Sequence, residues 1–478
     1  MDYDKIKKSG DTICAVATPG GSTAISVIRV SGDSAVDISN NIFKPISGPA
    51  LIDGESRKMR FGKIIKGEEL IDEVLIVFFL SPNSYTGENL VEIYCHGSQF
   101  IRKEIMMLLF SNGARQADPG EFSLRAFLNG KMDLSQAEAV ADLISSETSA
   151  AHKIAINQMK GGFSKELSQM RSSLLNLVSL MELELDFSEE DVEFADRNHL
   201  NTLLKNVKNH IENLIDSFTL GNVIKNGVPV AIVGATNTGK STLLNSLLGE
   251  DRAIVSDIHG TTRDFIEDIV NIDGTSFRFI DTAGIRKTEE KIEILGIERT
   301  FEKIKKATIV VLLLDSERPD GFHDSLIKIK ESLNSSSQSL IIAINKSDSF
   351  QSDDAIKLMI DNVKNISELN GLSPIAVLPL SAKNKTGIEK LKEVISSAGE
   401  IKNMPSDSLL VTNIRHHQAL ILALDALVRV EEGIQMNLST DLLTQDIRES
   451  LYHLGEIVGE INSEEILGNI FSKFCIGK

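Results

Sequence analysis

The stretch Gly234-Ala-Thr-Asn-Thr-Gly239-Lys240-Ser241 decides how the rest of the chain is interpreted. It fits the pattern G-x-x-x-x-G-K-S/T, in which glycines let the backbone approach phosphate oxygens and backbone N–H groups point at the anion. The apolar run Val228–Val233 before it is typical of a strand, and Ser241–Leu248 after it is typical of a helix. The sequence therefore predicts a phosphate-binding loop in which Lys240 reaches the β- and γ-phosphates and the Ser241 hydroxyl holds Mg²⁺.

Strand and helix patterns alternate on both sides of this loop, over residues 225–402. Such alternation predicts an α/β domain with a parallel sheet and helices on both of its faces. The predicted strands are Val230–Val233, Phe277–Ile280, Ile309–Leu314, Leu340–Ile344 and Ala376–Leu380.

Segments of two other kinds flank this domain. Residues 1–125 mix strand and helix patterns and predict an α+β domain, whereas residues 126–224 and 403–478 show helical periodicity alone. Because the last segment is short for a core of its own, we expect it to pack on the first helical segment, so that one helical domain is split by the inserted nucleotide domain. The predicted N-terminal elements are strands at Asp11–Ala17, Ala24–Val30, Val74–Leu80 and Leu90–Cys95 and a helix at Phe100–Phe110; the predicted buried helix faces are Leu174, Leu177, Val178, Met181, Leu185 and Leu451, Leu454, Ile457, Val458, Ile461.

The composition limits the classes of function. A formal net charge of -18 argues against broad, non-specific binding to nucleic acid. The three cysteines, Cys14, Cys95 and Cys475, are far apart and odd in number, which favours reduced thiols over a disulfide framework or a multi-cysteine metal site. No apolar run approaches the roughly 20 residues that a membrane span needs. We therefore expect a cytoplasmic protein without a membrane span.

Four further motifs follow the loop and favour guanine over adenine as the base. A threonine of Gly260–Asp264 would complete the Mg²⁺ shell, and Asp281–Gly284 closes the second predicted strand. Asn345–Asp348 ends the fourth strand, where Asp348 can accept two hydrogen bonds from the guanine N1–H and 2-amino groups. Ser381–Lys383 follows the last strand and can donate a backbone hydrogen bond to the guanine O6.

The position after Asp281–Gly284 holds Ile285, whose side chain cannot orient a water molecule as a glutamine would. Hydrolysis then needs other groups. Asn237 inside the phosphate loop is a candidate carbonyl ligand for K⁺, which would spread positive charge over the transition state as an arginine finger does. A variable loop residue without a ligand explains Asn237 equally well from chemistry alone.

With these residues quoted, the chain resembles the MnmE/TrmE tRNA-modification GTPases along nearly its whole length. The resemblance rests on five separated stretches. They are Asp11-Thr-Ile with Ile28-Arg-Val-Ser-Gly32, Ser84–Gly97, Pro119–Lys131 running into Asp133–Glu138, the GTPase motifs with Ile254–Asp264, and the terminus Phe474-Cys-Ile-Gly-Lys478.

The resemblance implies an N-terminal domain that binds a 5-formyl-tetrahydrofolate-type folate and forms a homodimer, and a helical domain split by a Ras-like P-loop GTPase domain. It also implies GTP hydrolysis activated by K⁺, and joint action with the flavoprotein MnmG on carbon 5 of the wobble uridine of certain tRNAs. Carried over by motif, the metal ligands are Ser241 and Thr262 for Mg²⁺ and Asn237, Ser256, Ile258 and Thr261 for K⁺. The folate contacts are Arg29, Glu92, Lys131 and Lys478, and the catalytic residues are Lys240 and Glu293, the latter orienting water. The nucleotide contacts are Asn237, Thr238, Gly239, Lys240, Ser241, Thr242, Ser256, Thr261, Thr262, Asp281, Thr282, Ala283, Gly284, Asn345, Lys346, Asp348, Ser381, Ala382 and Lys383.

Plainer interpretations stand beside these assignments. Without the resemblance, Arg29 would be a surface or ion-paired arginine, Glu92 an outward residue of an alternating strand and Glu293 a solvated helix residue. For the whole chain, the alternatives are a nucleotide-switched scaffold with a vestigial folate domain and a ribosome-assembly GTPase. The N-terminal stretches and the Cys-Ile-Gly-Lys terminus speak against the ribosome-assembly alternative.

Overall fold

A computed structural model describes residues 10–186, 197–249, 268–280, 304–305, 307–333, 338–350, 352–399, 409–436, 438–461, 464–472, 474 and 477. The chain divides into two compact units, both discontinuous in sequence. The first contains Met1–Ser145, Ala155–Ile211 and Gln418–Lys478, and the second contains Ser146–Ile154 and Glu212–His417.

The first unit contains a seven-stranded sheet in the order β3-β4-β5-β6-β2-β1-β7. All neighbouring strands are antiparallel except β1 and β7. One sheet face is covered by two helices, α1 and α2, over a core that includes Ile28, Ile76 and Ile105. The bounds are β1 Ile13–Val16, β2 Thr23–Ser31, α1 Ala35–Ile42, β3 Phe43–Pro45, β4 Arg60–Lys66, β5 Glu69–Phe79, β6 Leu90–Gly97, α2 Gln99–Ser111 and β7 Arg115–Gln116.

The four predicted N-terminal strands and the predicted helix are confirmed within a few residues, whereas β3, β4 and β7 were not predicted. Strand β4 begins with Arg60 and ends with Lys66, and its Gly62 leaves room for the ring of Phe43, which a Cβ atom would meet at 2.2 Å. Such a strand lacks the apolar alternation that sequence patterns detect, and its pairing with β5 supplies its stability instead.

A buried cluster of charges joins this sheet to the next helix, α3 (Glu121–Leu128). The Glu121 carboxylate accepts hydrogen bonds from Arg115 Nη1 at 2.8 Å and Arg125 Nη2 at 3.0 Å, and Arg125 Nη2 also donates to Asp11 at 2.7 Å. Burial raises the pKa of Glu121, but hydrogen bonds from Arg115 and the Asp118 N–H and the charge of Arg125 outweigh it, so the net pKa is lowered. The opposite charges of this cluster and their hydrogen bonds offset the cost of burying Glu121 and Arg125.

The helical part of the first unit supports the prediction that the C-terminal tail packs on the earlier helices. Helix α13 lies against α6, and the predicted apolar face is buried at Leu174, Leu177, Val178 and Met181. The last helix, α14, packs on α3 through Phe471. The residues of α5, α7 and α12 are divided between the two units. The helices are α4 Leu134–Ser145, α5 Ser149–Met159, α6 Gly162–Asp186, α7 Arg197–Asn226, α12 Ile414–Gln435, α13 Thr440–Val458 and α14 Glu464–Phe471. The predicted domain limits at residues 125 and 224 lie within helices α3 and α7. These limits stay predictions.

The second unit contains a six-stranded sheet in the order β13-β12-β11-β8-β10-β9. Helices α8 and α11 pack on one face, and α9 and α10 pack on the other. The second unit therefore has an α/β fold. The first unit combines an α+β sheet domain with a separate group of helices. The bounds are β8 Val228–Val233, α8 Lys240–Leu248, β9 Asp268–Ile272, β10 Thr275–Phe279, β11 Ile309–Asp315, α9 Phe322–Ser332, β12 Ser339–Asn345, α10 Asp353–Leu369, β13 Ala376–Pro379 and α11 Ile388–Ala398.

The expectation of a parallel sheet was wrong at one edge, where β9 runs antiparallel to β10. A two-residue turn, Asp273-Gly274, joins these strands, and both residues have positive φ, 50° and 80°. Asp-Gly between apolar strands is a strong hairpin signal because both positions must adopt left-handed conformations. The Asp-Gly signal was present in the sequence but was not used in the prediction. The hairpin was therefore missed, and the start of β10 was predicted at Phe277, two residues after its start at Thr275.

Candidate functional site

The phosphate-binding loop connects β8 to α8, as predicted. Its two end glycines occupy crowded positions: a Cβ atom on Gly234 would lie 2.4 Å from the Leu313 carbonyl oxygen, and one on Gly239 would lie 2.3 Å from Asn345 Nδ2. Gly239 also has φ of 94°, and Asn237 adopts a left-handed φ of 64°. Only glycine fits the two ends, and this fixes the loop against the neighbouring strands.

Lys240 and Ser241 open helix α8, so both side chains arise where backbone N–H groups of the first turn point at the loop. The Lys240 ammonium donates hydrogen bonds to the carbonyl oxygens of Gly234 at 2.9 Å and Ala235 at 2.7 Å. A hydroxyl oxygen at Ser241 is a donor type that Mg²⁺ prefers. The arrangement concentrates positive potential beside an anion site.

Asn345 links the phosphate loop to the loop after β13. Its side chain is buried at the end of β12. Its Nδ2 donates to the carbonyl oxygen of Thr238 at 2.7 Å, and its Oδ1 accepts from the backbone N–H of Ala382 at 2.9 Å. Ser246 Oγ of α8 donates to the Ala382 carbonyl oxygen at 2.9 Å. The structure therefore brings three predicted sites together: the phosphate loop, Asn345–Asp348 and Ser381–Lys383.

Asp348 lies on the exposed side of this junction, in the short 3-10 turn Ser347–Ser349. A hydrogen bond with the Ser381 side chain lowers its pKa, with smaller contributions from its own backbone N–H, Lys383 and Lys346. The carboxylate is therefore ionised near neutral pH, so it is the double acceptor that a guanine edge requires. Hydrogen bonds to Asp315, then Glu317, raise the pKa of Lys346, so its ammonium stays protonated.

Other residues predicted to contact the nucleotide, its metal ions or the attacking water lie outside the described residues, as does Lys478: Ser256, Ile258, Thr261, Thr262, Asp281, Thr282, Ala283, Gly284 and Glu293.

A second candidate site lies on the sheet of the first unit. Arg29 on β2 and Glu92 on β6 are cross-strand partners, and Arg29 Nε donates to Glu92 Oε1 at 2.8 Å. Tyr94 donates from its hydroxyl to Glu92 Oε2 at 2.7 Å, and burial followed by this hydrogen bond raises the Tyr94 pKa to about 12. The Arg29 guanidinium also lies 5.5 Å from the ring centre of Tyr85.

Lys131 lies beside the same loop that carries Tyr85. Its Nζ donates to the carbonyl oxygen of Pro82 at 2.9 Å. Two of the predicted folate contacts, Arg29 and Glu92, thus form an ion pair, as the plainer interpretation of Arg29 also expects. Two tyrosines that the sequence analysis did not single out lie beside this pair. The alternation of β6 could have indicated Tyr94, because residues two apart share a strand face.

Two of the three thiols are buried structural groups. Burial raises the pKa of Cys14 to about 12 and of Cys95 to about 11, so neither is a thiolate at neutral pH. Cys475 lies outside the described residues. Within the described residues there is no cluster of three or more metal-ligating side chains, and no described helix is long and apolar enough to cross a membrane.

Comparison with known proteins identifies the family. The model of the MnmE helical domain matches residues 134–475, and that of the GTP-binding protein TrmE N-terminus matches residues 12–131. The tRNA modification GTPase MnmE of Bacteroides fragilis (strain YCH46) is 52% identical over 475 residues, covering 98% of this chain and 99% of that protein. This chain belongs to the MnmE family of tRNA modification GTPases.

A second MnmE, from Flavobacterium johnsoniae, is 49% identical over 470 residues, covering 98% of this chain and 99% of that protein. In the structure of a point variant of Aquifex aeolicus Era bound to GDP·AlF4⁻, the matched chain is 27% identical, and the match covers 41% of this chain and 66% of that chain with a TM-score of 0.27. As an MnmE-family member, the protein is a GTP-binding GTP hydrolase of tRNA modification.

Replacing Asn345 by Ala should weaken GDP binding by about 100-fold, because it leaves the buried Thr238 carbonyl and Ala382 N–H without their partner and frees both loops. Isothermal titration of the full-length MnmE-family protein with GDP measures this. Asn365→Ala, an exposed asparagine on α10, is the control and should bind as the wild type does. Wild-type affinity in Asn345→Ala would contradict the role of this link.

Proposed function

We propose that this MnmE-family protein hydrolyses GTP with K⁺ as activator and acts with the flavoprotein MnmG. Together they modify carbon 5 of the wobble uridine, position 34, of certain tRNAs in the cytoplasm, with a tetrahydrofolate derivative as one-carbon donor. The observation that supports the GTPase part is the Asn345 link, which joins Thr238 of the phosphate loop to Ala382, together with the ionised Asp348 three residues after Asn345. Family membership supports the tRNA part.

In the nucleotide site, Lys240 stabilises the charge on the β- and γ-phosphates, while backbone groups of Thr238, Gly239 and Thr242 bind phosphate oxygens. Ser241 and Thr262 hold Mg²⁺. Asp281, Thr282, Ala283 and Gly284 follow the strand that adjoins the loop and sense the γ-phosphate. At the other end, Asn345, Lys346, Asp348, Ser381, Ala382 and Lys383 bind the base. The donor of the hydrogen bond to O6 is the Lys383 N–H, because the Ala382 N–H is already given to Asn345.

K⁺ is assigned to the exposed edge of the phosphate loop. The left-handed Asn237 is exposed there, so its amide oxygen is free to turn toward the β- and γ-phosphate side of the loop. Ser256, Thr261 and the Ile258 carbonyl complete the ligand set. The bound ion adds positive charge beside the transferred phosphoryl group, and Glu293 orients the attacking water that Ile285 cannot hold.

GTP turnover should be at least about tenfold faster in K⁺ than in Na⁺ at equal ionic strength, because charge placed at the transition state acts on kcat. Asn237→Ala should remove most of this difference. Phosphate release measured at saturating GTP in both salts checks this. The Asn365→Ala control should keep the K⁺ effect, and equal wild-type rates in the two salts would refute the cation assignment.

The folate is assigned to the sheet of the first unit. Glu92 already accepts hydrogen bonds from Arg29 and Tyr94, and its remaining acceptor capacity suits the N–H groups of a pterin. Lys131 and Lys478 are cations suited to the carboxylates of the folate tail. The same sheet supports the proposed homodimer, because the apolar residues Phe61 and Leu75 are paired across β4 and β5 and remain 48% and 41% exposed.

Arg29→Ala should weaken binding of 5-formyl-tetrahydrofolate at least about tenfold, since it removes a charged partner of the site. Fluorescence or calorimetric titration of the full-length protein gives the dissociation constants, and Lys103→Ala, an exposed cation on α2, is the matched control.

In cells whose only copy carries Arg29→Ala, mass analysis should show loss of the wobble-uridine modification, whereas the Lys103→Ala copy should preserve it. No folate binding by the wild type would favour a scaffold with a vestigial folate domain. Unchanged wobble uridines in cells lacking the protein altogether would refute the proposed function.

A further inference from the structure

A turn that the sequence analysis did not single out contacts Asn345 and Lys346, the first two residues of the proposed base-binding segment Asn345–Asp348. It consists of Asp315, Ser316 and Glu317, here named the 315–317 turn, at the carboxyl end of β11. In the parallel pairing of β11 with β12, Asp315 lies opposite Asn345. The turn therefore lies beside the point where β12 passes into Asn345–Asp348.

The turn binds both ends of Lys346. The Lys346 ammonium donates to Asp315 Oδ2 at 2.8 Å and to Glu317 Oε2 at 2.8 Å. Ser316 Oγ donates to the Lys346 carbonyl oxygen at 3.0 Å, and the Ser316 backbone N–H donates to the Asn345 carbonyl oxygen at 3.1 Å. Side chain and main chain of one residue are thus held by three consecutive residues of the neighbouring strand end.

The residue held in this way has an unfavourable backbone conformation. Lys346 has φ of 63°, in the left-handed region that non-glycine residues seldom adopt. Such a conformation persists only where surrounding contacts impose it. It turns the chain between Asn345, which is bonded to the phosphate loop, and Asp348, the proposed contact of the base. The direction of the Asp348 carboxylate therefore depends on Lys346 remaining in this conformation.

The two carboxylates of the turn differ in burial, which makes the role testable. The Asp315 side chain is 6% exposed and the Glu317 side chain is 55% exposed. Asp315 also accepts a hydrogen bond from the Glu317 backbone N–H at 3.1 Å. Asp315 therefore stabilises the conformation of the turn in addition to binding the Lys346 ammonium. Glu317 can be changed without disturbing packing, whereas the buried Asp315 makes the stronger ion pair with Lys346.

We propose that the 315–317 turn is a positioning element for guanine recognition, which keeps Lys346 left-handed and so aims Asp348 at the base. The proposal deepens the nucleotide site and rests on the proposed role of Asp348. Asp315, Ser316 and Glu317 act through Lys346 and Asn345 and do not themselves contact the nucleotide.

Two consequences separate this role from general support of the fold. The base is common to GTP and GDP, so a misaimed Asp348 weakens both equally and leaves kcat at saturating GTP unchanged. An inosine nucleotide lacks the 2-amino group and makes only one of the two hydrogen bonds to Asp348. Misaiming therefore costs GDP more than IDP, and the preference for GDP over IDP falls.

The experiment uses the full-length protein and three variants: Glu317→Gln, Asp315→Asn and, as a matched control, Glu331→Gln on the exposed side of α9. Dissociation constants for GDP and IDP, kcat with saturating GTP and the unfolding temperature without nucleotide are measured for each. Glu317→Gln should raise the GDP constant about two- to fivefold, the effect of one partly exposed ion pair, and Asp315→Asn about tenfold. Both should lower the GDP-to-IDP preference, while Glu331→Gln should match the wild type.

A GDP-to-IDP preference unchanged in Glu317→Gln and Asp315→Asn would overturn the proposal, as would equal weakening of GDP and IDP. Because Glu317 is exposed, its variant gives an answer even if Asp315→Asn fails to fold. The proposed role of Asp348 fails separately: in that case Asp348→Asn itself keeps the wild-type preference for GDP over xanthosine diphosphate.

Discussion

The two hydrogen bonds of the Asn345 side chain are the constraint on which the nucleotide site depends. One amide group reaches the phosphate loop through Thr238 and the loop after β13 through Ala382. The Asn345 side chain is buried and both of its partners are backbone groups. Losing either hydrogen bond would leave a buried polar group unsatisfied, which costs free energy. The spacing between the phosphate-binding and base-binding parts of the site is thereby fixed by one residue, which no other amino acid can replace with both a donor and an acceptor at that length.

The sheet of the second unit explains why this link can exist. Parallel strands β8, β11, β12 and β13 end at the same edge, so the residues that follow them converge there. Gly234 and Gly239 allow the phosphate loop to approach Leu313 and Asn345 closely, and the 315–317 turn adds contacts from β11. The first unit uses a sheet differently. Its Arg29–Glu92 pair lies on the strands themselves, so the ligand there would lie along a sheet face.

Much of this could be predicted from the sequence, because the phosphate loop and the base motif each carry a required chemistry at fixed spacing. The apolar strands β8, β11 and β12 were likewise visible as buried runs. Strand β4 was missed because its charged sequence lacks an apolar pattern and its pairing with β5 stabilises it. Strand β9 was missed although the Asp273-Gly274 hairpin signal was present in the sequence. Asp315 was missed because its contact is with Lys346, which is 31 positions away in the sequence. Tyr94 contacts Glu92, only 2 positions away, and strand alternation could have indicated this contact.

We propose that one connected site binds both the base and the phosphates of the nucleotide. Hydrogen exchange of the full-length protein, followed by mass spectrometry with GDP or ADP at equal concentration, distinguishes this from two independent sites. GDP should slow exchange in peptides covering both residues 234–242 and 380–386, and ADP should slow exchange in neither. Equal protection by ADP, or protection by GDP confined to the phosphate loop, would contradict this proposal.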